Sequence, residues 1–258
     1  MKNLKKFLCV VLVLVMIFSI AACGKKEEPK DDVKTYTVLT EATYPPFESY
    51  DTDGKLVGVD IDLIEAIAED QGFKVVWQDI AFDSLIPAIQ SDQGDIIAAF
   101  MVKTPVRMEK VDFTEGYYTG GYSLIVKEGN DKIKSIDDLT PDMVVASQMG
   151  TVEWNKANEL KEAGKIKDVI SNNDFVTCVM QTINGEIDAT LVGVITSKAY
   201  LAKFPGKIKL VDFEESTDAP SAFAVKKGNT ELLNMLDEGL KHIKENGKYD
   251  EIILKWVD

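Results

Sequence analysis

Asp95-Ile96-Ile97-Ala98-Ala99-Phe100, running on into Met101-Val102-Lys103-Thr104-Pro105-Val106-Arg107, is the stretch on which the fold turns. Its first half is a continuous apolar run, the pattern of a parallel strand covered on both faces. Its second half ends on Arg107, the lone arginine among 29 lysines and arginines. A chain that otherwise uses lysine for surface charge places a guanidinium here. That planar fork grips a carboxylate with two parallel hydrogen bonds, which an ammonium cannot do. At the carboxyl end of a strand it would stand where open α/β sheets bind ligands. A surface arginine or a structural ion pair would leave the same trace in sequence.

Strand and helix signals alternate to either side. Tyr36-Thr37-Val38-Leu39-Thr40 is β-rich, and Ile61, Ile64, Ile67 and Ala68 then recur at helical spacing before Gly72. Phe73 to Trp77 reads as a strand, and Asp83 as the N-cap of a helix from Ser84 to Gln90. The pattern repeats downstream, with strands at Met143–Ser147, Ile166–Ile170, Ala189–Val192 and Lys207–Val211. Helices follow at Val152–Ala163, Asp174–Asn184 and Thr196–Lys203. Ala222–Val225, Thr230–Asn246 and Tyr249–Trp256 close the chain as strand, helix and helix. Such alternation predicts an α/β fold of parallel sheets flanked by helices. Two runs separated near Gly120-Gly121 predict two sheets. A single large doubly wound sheet is the alternative, but neither G-x-G-x-x-G nor G-x-x-x-x-G-K-S/T occurs.

Two further features could carry binding. Gly150-Thr151-Val152 joins a strand to a helix, whose free N–H groups can hold an anion, although spacing alone favours simple capping by Thr151. Tyr44-Pro45-Pro46-Phe47 and Phe82 lie at strand-to-helix connections and could sandwich a ligand or merely pack. Catalysis is poorly provided for. His242 is the single histidine, so no histidine triad, H-E-x-x-H or Cys/His cluster can be built, and no metal or cofactor is expected.

The ends and the composition bear on location. Lys2, Lys5 and Lys6 precede an apolar run of roughly 16 residues, short of the ~20 a spanning helix needs. Residues 1–22 therefore read as an export signal. Ile20-Ala21-Ala22-Cys23-Gly24 resembles a bacterial lipoprotein cleavage site, which would make Cys23 the lipidated N-terminus and residues 23–34 a charged flexible tether. An ordinary signal with a chance cysteine is the alternative. With Cys9 in the signal, only Cys178 would remain to pair with Cys23, so stability rests on a core rather than on disulfides. The net charge is −14, and loss of the three signal lysines takes it to −17. Nucleic acid is thereby argued against as a partner.

Several motifs in order resemble one family. Glu41-Ala42-Thr43-Tyr44-Pro45-Pro46-Phe47, Gly58-Val59-Asp60-Ile61-Asp62-Leu63, Phe82-Asp83-Ser84-Leu85-Ile86-Pro87-Ala88, Thr104-Pro105-Val106-Arg107 and the tail around Asn246-Gly247-Lys248-Tyr249 are similar to family 3 extracellular solute-binding proteins. The resemblance implies a two-lobed fold of the periplasmic-binding-protein type II kind, each lobe a mostly parallel sheet flanked by helices, joined by two hinge crossings. Lobe 1 would be 35–121 plus 218–258 and lobe 2 would be 122–217, with hinges near Gly120-Gly121 and Thr217. It also implies a small carboxylate-bearing solute, an ABC permease as membrane partner, and a monomeric binding protein tethered outside the cytoplasm.

Carried over by position, Arg107 would take the ligand carboxylate and Gly150, Thr151 and Val152 would complete that grip. Tyr44 and Phe82 would flank the side chain, and Glu41 and Gln148 would tune preference. Phe100 would shrink the floor of the cleft or make it more apolar, and Met101, Val102 and Gly193 are counted among the ligand-binding positions. The chain departs from the family where the ammonium is recognised. Gly193 stands for the usual Asp, Val102 for a Thr or Ser, and Phe100 for a Gly or Ser. Either the ligand lacks a free α-ammonium, or another acid, Glu41 or Asp218, supplies the partner. A dehydratase of the cyclohexadienyl type on the same fold, with Glu153 or Glu41 as general acid, is the enzymatic rival. A ligand-sensing module is a third reading.

Overall fold

Each of the two strand–helix runs closes into its own five-stranded sheet. The computed structural model describes residues 33–215 and 219–257, with side chains of 212–215 left aside. The signal, Cys9, Cys23, nearly all of the tether, Thr217 and Asp218 lie outside the described residues. The first run holds β1 (Thr35–Thr40), a small meander of β2 (Thr43–Tyr44), β3 (Glu48–Tyr50) and β4 (Leu56–Val57), then α1 (Val59–Gln71) and β5 (Lys74–Asp79). It continues with α2 (Leu85–Gln90), β6 (Ile96–Ile97), the one-turn α3 (Pro105–Met108) and β7 (Val111–Phe113). The second holds β8 (Gly121–Lys127), β9 (Val144–Gln148), α4 (Val152–Glu162), β10 (Asp168–Asn172), α5 (Phe175–Asn184), β11 (Ala189–Gly193), α6 (Val194–Lys203) and β12 (Ile208–Glu215). The chain then returns to the first sheet as β13 (Ala224–Lys226) and ends in α7 (Thr230–Glu245) and α8 (Lys248–Trp256).

Strand order is β5-β1-β6-β13-β7 in one sheet and β10-β9-β11-β8-β12 in the other. Each sheet is mostly parallel, as expected, with a single reversed strand. Four strands share one direction in each, β5, β1, β6 and β7 in the first and β10, β9, β11 and β12 in the second, while β13 is antiparallel to β6 and β7, and β8 to β11 and β12. The reversed strand is in each case the one that enters directly from the other sheet, so it arrives without the helical crossover that parallel pairing demands. The two crossings run side by side: Ser221 N–H donates to the Tyr118 carbonyl at 2.8 Å, and Tyr117 N–H to the Ser221 carbonyl at 3.0 Å.

Packing follows the helical periods. Leu232, Leu236, Leu240 and Ile243 form a buried stripe on α7 that meets Ile64 and Ile67 of α1. Each such side chain contributes about 1.5–3 kcal/mol by burial. Gly239 lets the helices approach, since a Cβ there would lie 2.7 Å from the Ile67 side chain. Two local expectations differ. Asp83 does not cap α2; a 3-10 turn at Phe82–Ser84 leads into the helix, and no side chain caps it. The apolar run at 96–100 keeps only two residues in strand, because Phe100 turns to a left-handed φ of 42°. No helix among the described residues is long and apolar enough to cross a membrane.

Candidate functional site

The carboxyl ends of strands from both sheets meet around a cavity of about 170 Å³. From the first sheet come Glu41 after β1, Phe82 after β5 and Phe100 after β6. From the second come Gln148 at the end of β9 and Thr151, Val152 and Glu153 at the start of α4.

Arg107 is positioned by a short capped turn. Thr104 Oγ accepts from the Arg107 N–H at 3.3 Å, with Pro105 at the first helical position. Its side chain is only 8% exposed. Nη1 donates to the Val102 carbonyl at 2.7 Å and Nη2 to the Gly150 carbonyl at 2.9 Å, so one guanidinium bonds backbone from both halves. The guanidinium carbon lies 5.3 Å from the centre of the Phe82 ring. Burial lowers its pKa to about 10, opposed by the charge of Glu153, and it stays a cation at neutral pH. Two of five donors are committed to carbonyls, which leaves donors for a ligand.

Opposite stands the Gly150-Thr151-Val152 turn. Gly150 has φ +83°, a conformation that favours glycine, and its Cα faces Asp83 of the first half. Thr151 Oγ donates to the Gln148 carbonyl at 2.7 Å and accepts from the Trp154 N–H at 3.1 Å. What Gly150 offers Arg107 is its carbonyl. Glu153, in the first turn of α4 and 6% exposed, accepts a hydrogen bond from the Tyr44 hydroxyl at 3.3 Å. Burial raises its pKa, while its own backbone N–H, Arg107 and Tyr44 draw it down.

The floor is aromatic. Phe100 lies 3.7 Å from Phe47 and 5.6 Å from Tyr44, centroid to centroid. A bulky side chain at positive φ costs of order 1–3 kcal/mol and needs its surroundings to hold it. Here the Phe100 N–H donates to Asp60 Oδ2 at 2.8 Å, and its carbonyl accepts from Ser221 Oγ at 3.0 Å. Asp60 also takes the Tyr117 hydroxyl at 2.7 Å, and burial pushes its pKa up to about 7.

Two more carboxyls line the cavity. Glu41 accepts from Thr43 Oγ at 2.7 Å and from Gln148, and burial pushes it up to about 7. Glu48 is 1% exposed, its Oε2 has no hydrogen-bond partner, and burial with Asp60 and Glu41 nearby drives its pKa well above the carboxylate range. The described lining thus sets three carboxyl groups against one guanidinium. No group of three or more metal-ligating side chains occurs among the described residues.

Residues 36–258 match the model for bacterial extracellular solute-binding proteins, family 3. The chain belongs to that family. This solute-binding protein is 34% identical over 262 residues to a probable histidine-binding protein of Campylobacter jejuni, covering 98% of this chain and 99% of the relative. It is 30% identical to the arginine-binding extracellular protein ArtP of Bacillus subtilis, covering 98% of each. In structure it resembles an ancestral arginine-binding protein bound to arginine, with a TM-score of 0.83 and 37% identity over 87% of this chain and 98% of that one.

Most residues singled out in the sequence of this solute-binding protein meet at one place: Glu41, Tyr44, Phe82, Phe100, Val102, Arg107, Gln148, Thr151 and Val152 line the cavity, and Gly150 contacts Arg107. Met101 does not. The chain turns at Phe100 and sends Met101, 1% exposed, into the apolar cluster of Leu39, Leu85 and Ile89 behind the sheet. Gly193 does not line the cavity either, because the Tyr44 hydroxyl covers it. Glu48 was missed as a cleft residue, and no periodicity marks it. The sequence signal for Glu153 as a cleft residue is its place in the first turn of a Thr-capped helix.

Proposed function

We propose that this protein captures a small amino acid outside the cytoplasm and delivers it, as a monomer, to the membrane subunits of an ABC importer. The observation that carries the reading is Arg107: a buried guanidinium shared by the two halves, with donors left over, at the carboxyl ends of strands. It would clasp the ligand carboxylate together with the Gly150-Thr151-Val152 turn, while Tyr44 and Phe82 flank the side chain over a Phe100 floor. Glu41, Gln148 and Glu48 at the same cavity favour a side chain with a positive charge or hydrogen-bond donors. Relatives named for histidine and arginine support that preference.

Calorimetry of the ligand-stripped protein against the twenty amino acids tests this. At least one basic or polar amino acid should bind with micromolar affinity or better; no binding by any would overturn the reading. Prephenate and arogenate should be neither dehydrated nor decarboxylated. The leader and Cys23 support export and lipid anchoring in the bacterial membrane, and Cys23→Ser should release the protein into the medium.

A further inference from the structure

An amino acid brings an ammonium, and position 193, where the family resemblance implies an acid, holds Gly193. A buried ammonium without an anionic partner is strongly unfavourable. Gly193 is not demanded by its own backbone, since φ −60° and ψ 143° suit any residue. What excludes a side chain is Tyr44, whose hydroxyl would overlap a Cβ built on Gly193. The same would-be Cβ lies 3.5 Å from Glu153 Oε1. A carboxyl group therefore occupies the neighbourhood of position 193, but it is delivered from α4 rather than from β11.

We propose that Glu153 receives the ammonium of the bound amino acid, in place of an acid at position 193. The inference rests on the amino-acid reading of the cleft. Glu153 and Arg107 line one cavity and attract each other electrostatically, yet among the described residues they close no ion pair within 4 Å. Two opposite charges set apart in one cavity, one from each half, complement the two ends of a zwitterion. Tyr44 is then a positioning residue: its hydroxyl fills the space over Gly193 and donates to Glu153 Oε1, which orients the acid. The α4 N-terminus favours the ionised form. Glu41 is not needed for this role, being held by Thr43 and Gln148.

The test compares wild type with Glu153→Gln, using two ligand pairs by calorimetry: L-arginine with 5-guanidinopentanoate, and L-histidine with imidazolepropionate. In each pair the second member lacks only the α-ammonium. Wild type should prefer the amino acid by about 100-fold. In Glu153→Gln that preference should shrink to below about tenfold, with the deaminated ligand itself changed less than about threefold. An undiminished preference in a folded Glu153→Gln protein overturns the assignment of Glu153 while leaving the amino-acid reading intact. Equal binding of both members by wild type also overturns it. Failure of wild type to bind either amino acid, or any other of the twenty, overturns the amino-acid reading itself.

Discussion

Two strand-to-helix connections face each other across the cleft, and they are built alike up to the point where they differ in charge. Thr104 caps α3 and Thr151 caps α4, each by accepting from the N–H three residues on. After the cap, the first presents Arg107 at the third helical position of a single turn, and the second presents Glu153 at the second position of an 11-residue helix. A helix N-terminus favours an anion and disfavours a cation. Glu153 thus sits where its own helix supports it. Arg107 lies in a helix too short to set up an opposing dipole, and it is held by two carbonyls and the Phe82 ring. The same capped turn can deliver either sign of charge, but the cation needs partners from elsewhere in the molecule, and here one of them comes from the opposite half.

The largest effect should come from removing that cation. Arg107→Ala is expected to weaken the cognate amino acid at least about 100-fold, or about 3 kcal/mol, and Arg107→Lys to recover only a small part. Full recovery by lysine, measured by calorimetry, would show that a point charge serves as well as a planar fork.

The acid side of the cleft should show itself in stability against pH. Glu41 ionises at 4.5 in the ordinary case and at about 7 in the fold, so the folded state favours the protonated form. Its contribution is fully present below pH 4.5 and is lost as pH rises through 7. Up to about 3 kcal/mol is involved, and Asp60 acts in the same direction. Urea denaturation of the ligand-free protein at pH 5 and pH 8 should show the loss, and Glu41→Gln should remove its share. A slope unchanged in Glu41→Gln would place the acid penalty elsewhere.

Gly193→Ala should act next, by pushing the halves apart. The added methyl meets Tyr44 from the other half, so the strain is relieved by opening rather than unfolding. Affinity should fall by roughly 10- to 30-fold, or about 2 kcal/mol, with the melting temperature nearly unchanged. The smallest effect is in the caps themselves. Thr151→Ala should cost about 1 kcal/mol in chemical denaturation. Thr104→Ala should cost less, because its bond is longer and its helix is one turn.

Alternation along the chain made the two sheets and most helix bounds legible. α7 was expected over Thr230–Asn246 and spans Thr230–Glu245, and α5 differs at its start by one residue. Local pattern could not reveal the antiparallel strands, whose direction depends on where the chain arrives from. It also missed the β2–β4 meander, whose strands are two or three residues long. The lone guanidinium was legible because composition isolates it. The Tyr44–Glu153–Gly193 arrangement was not, since those residues are brought together from both halves and no spacing links them.

Gly121 and Glu215 are Cα partners in the β8–β12 ladder, so the chain leaves the first sheet and comes back to it at nearly one point. Paired strands place such residues about 5 Å apart. In effect the second half is a cassette spliced into the first, its two ends as close as the legs of a hairpin. A cassette with adjacent ends can be exchanged or excised with little more than a tight turn to reseal the host, which makes this junction the natural place for recombination between relatives to swap one wall of the cleft while keeping the other.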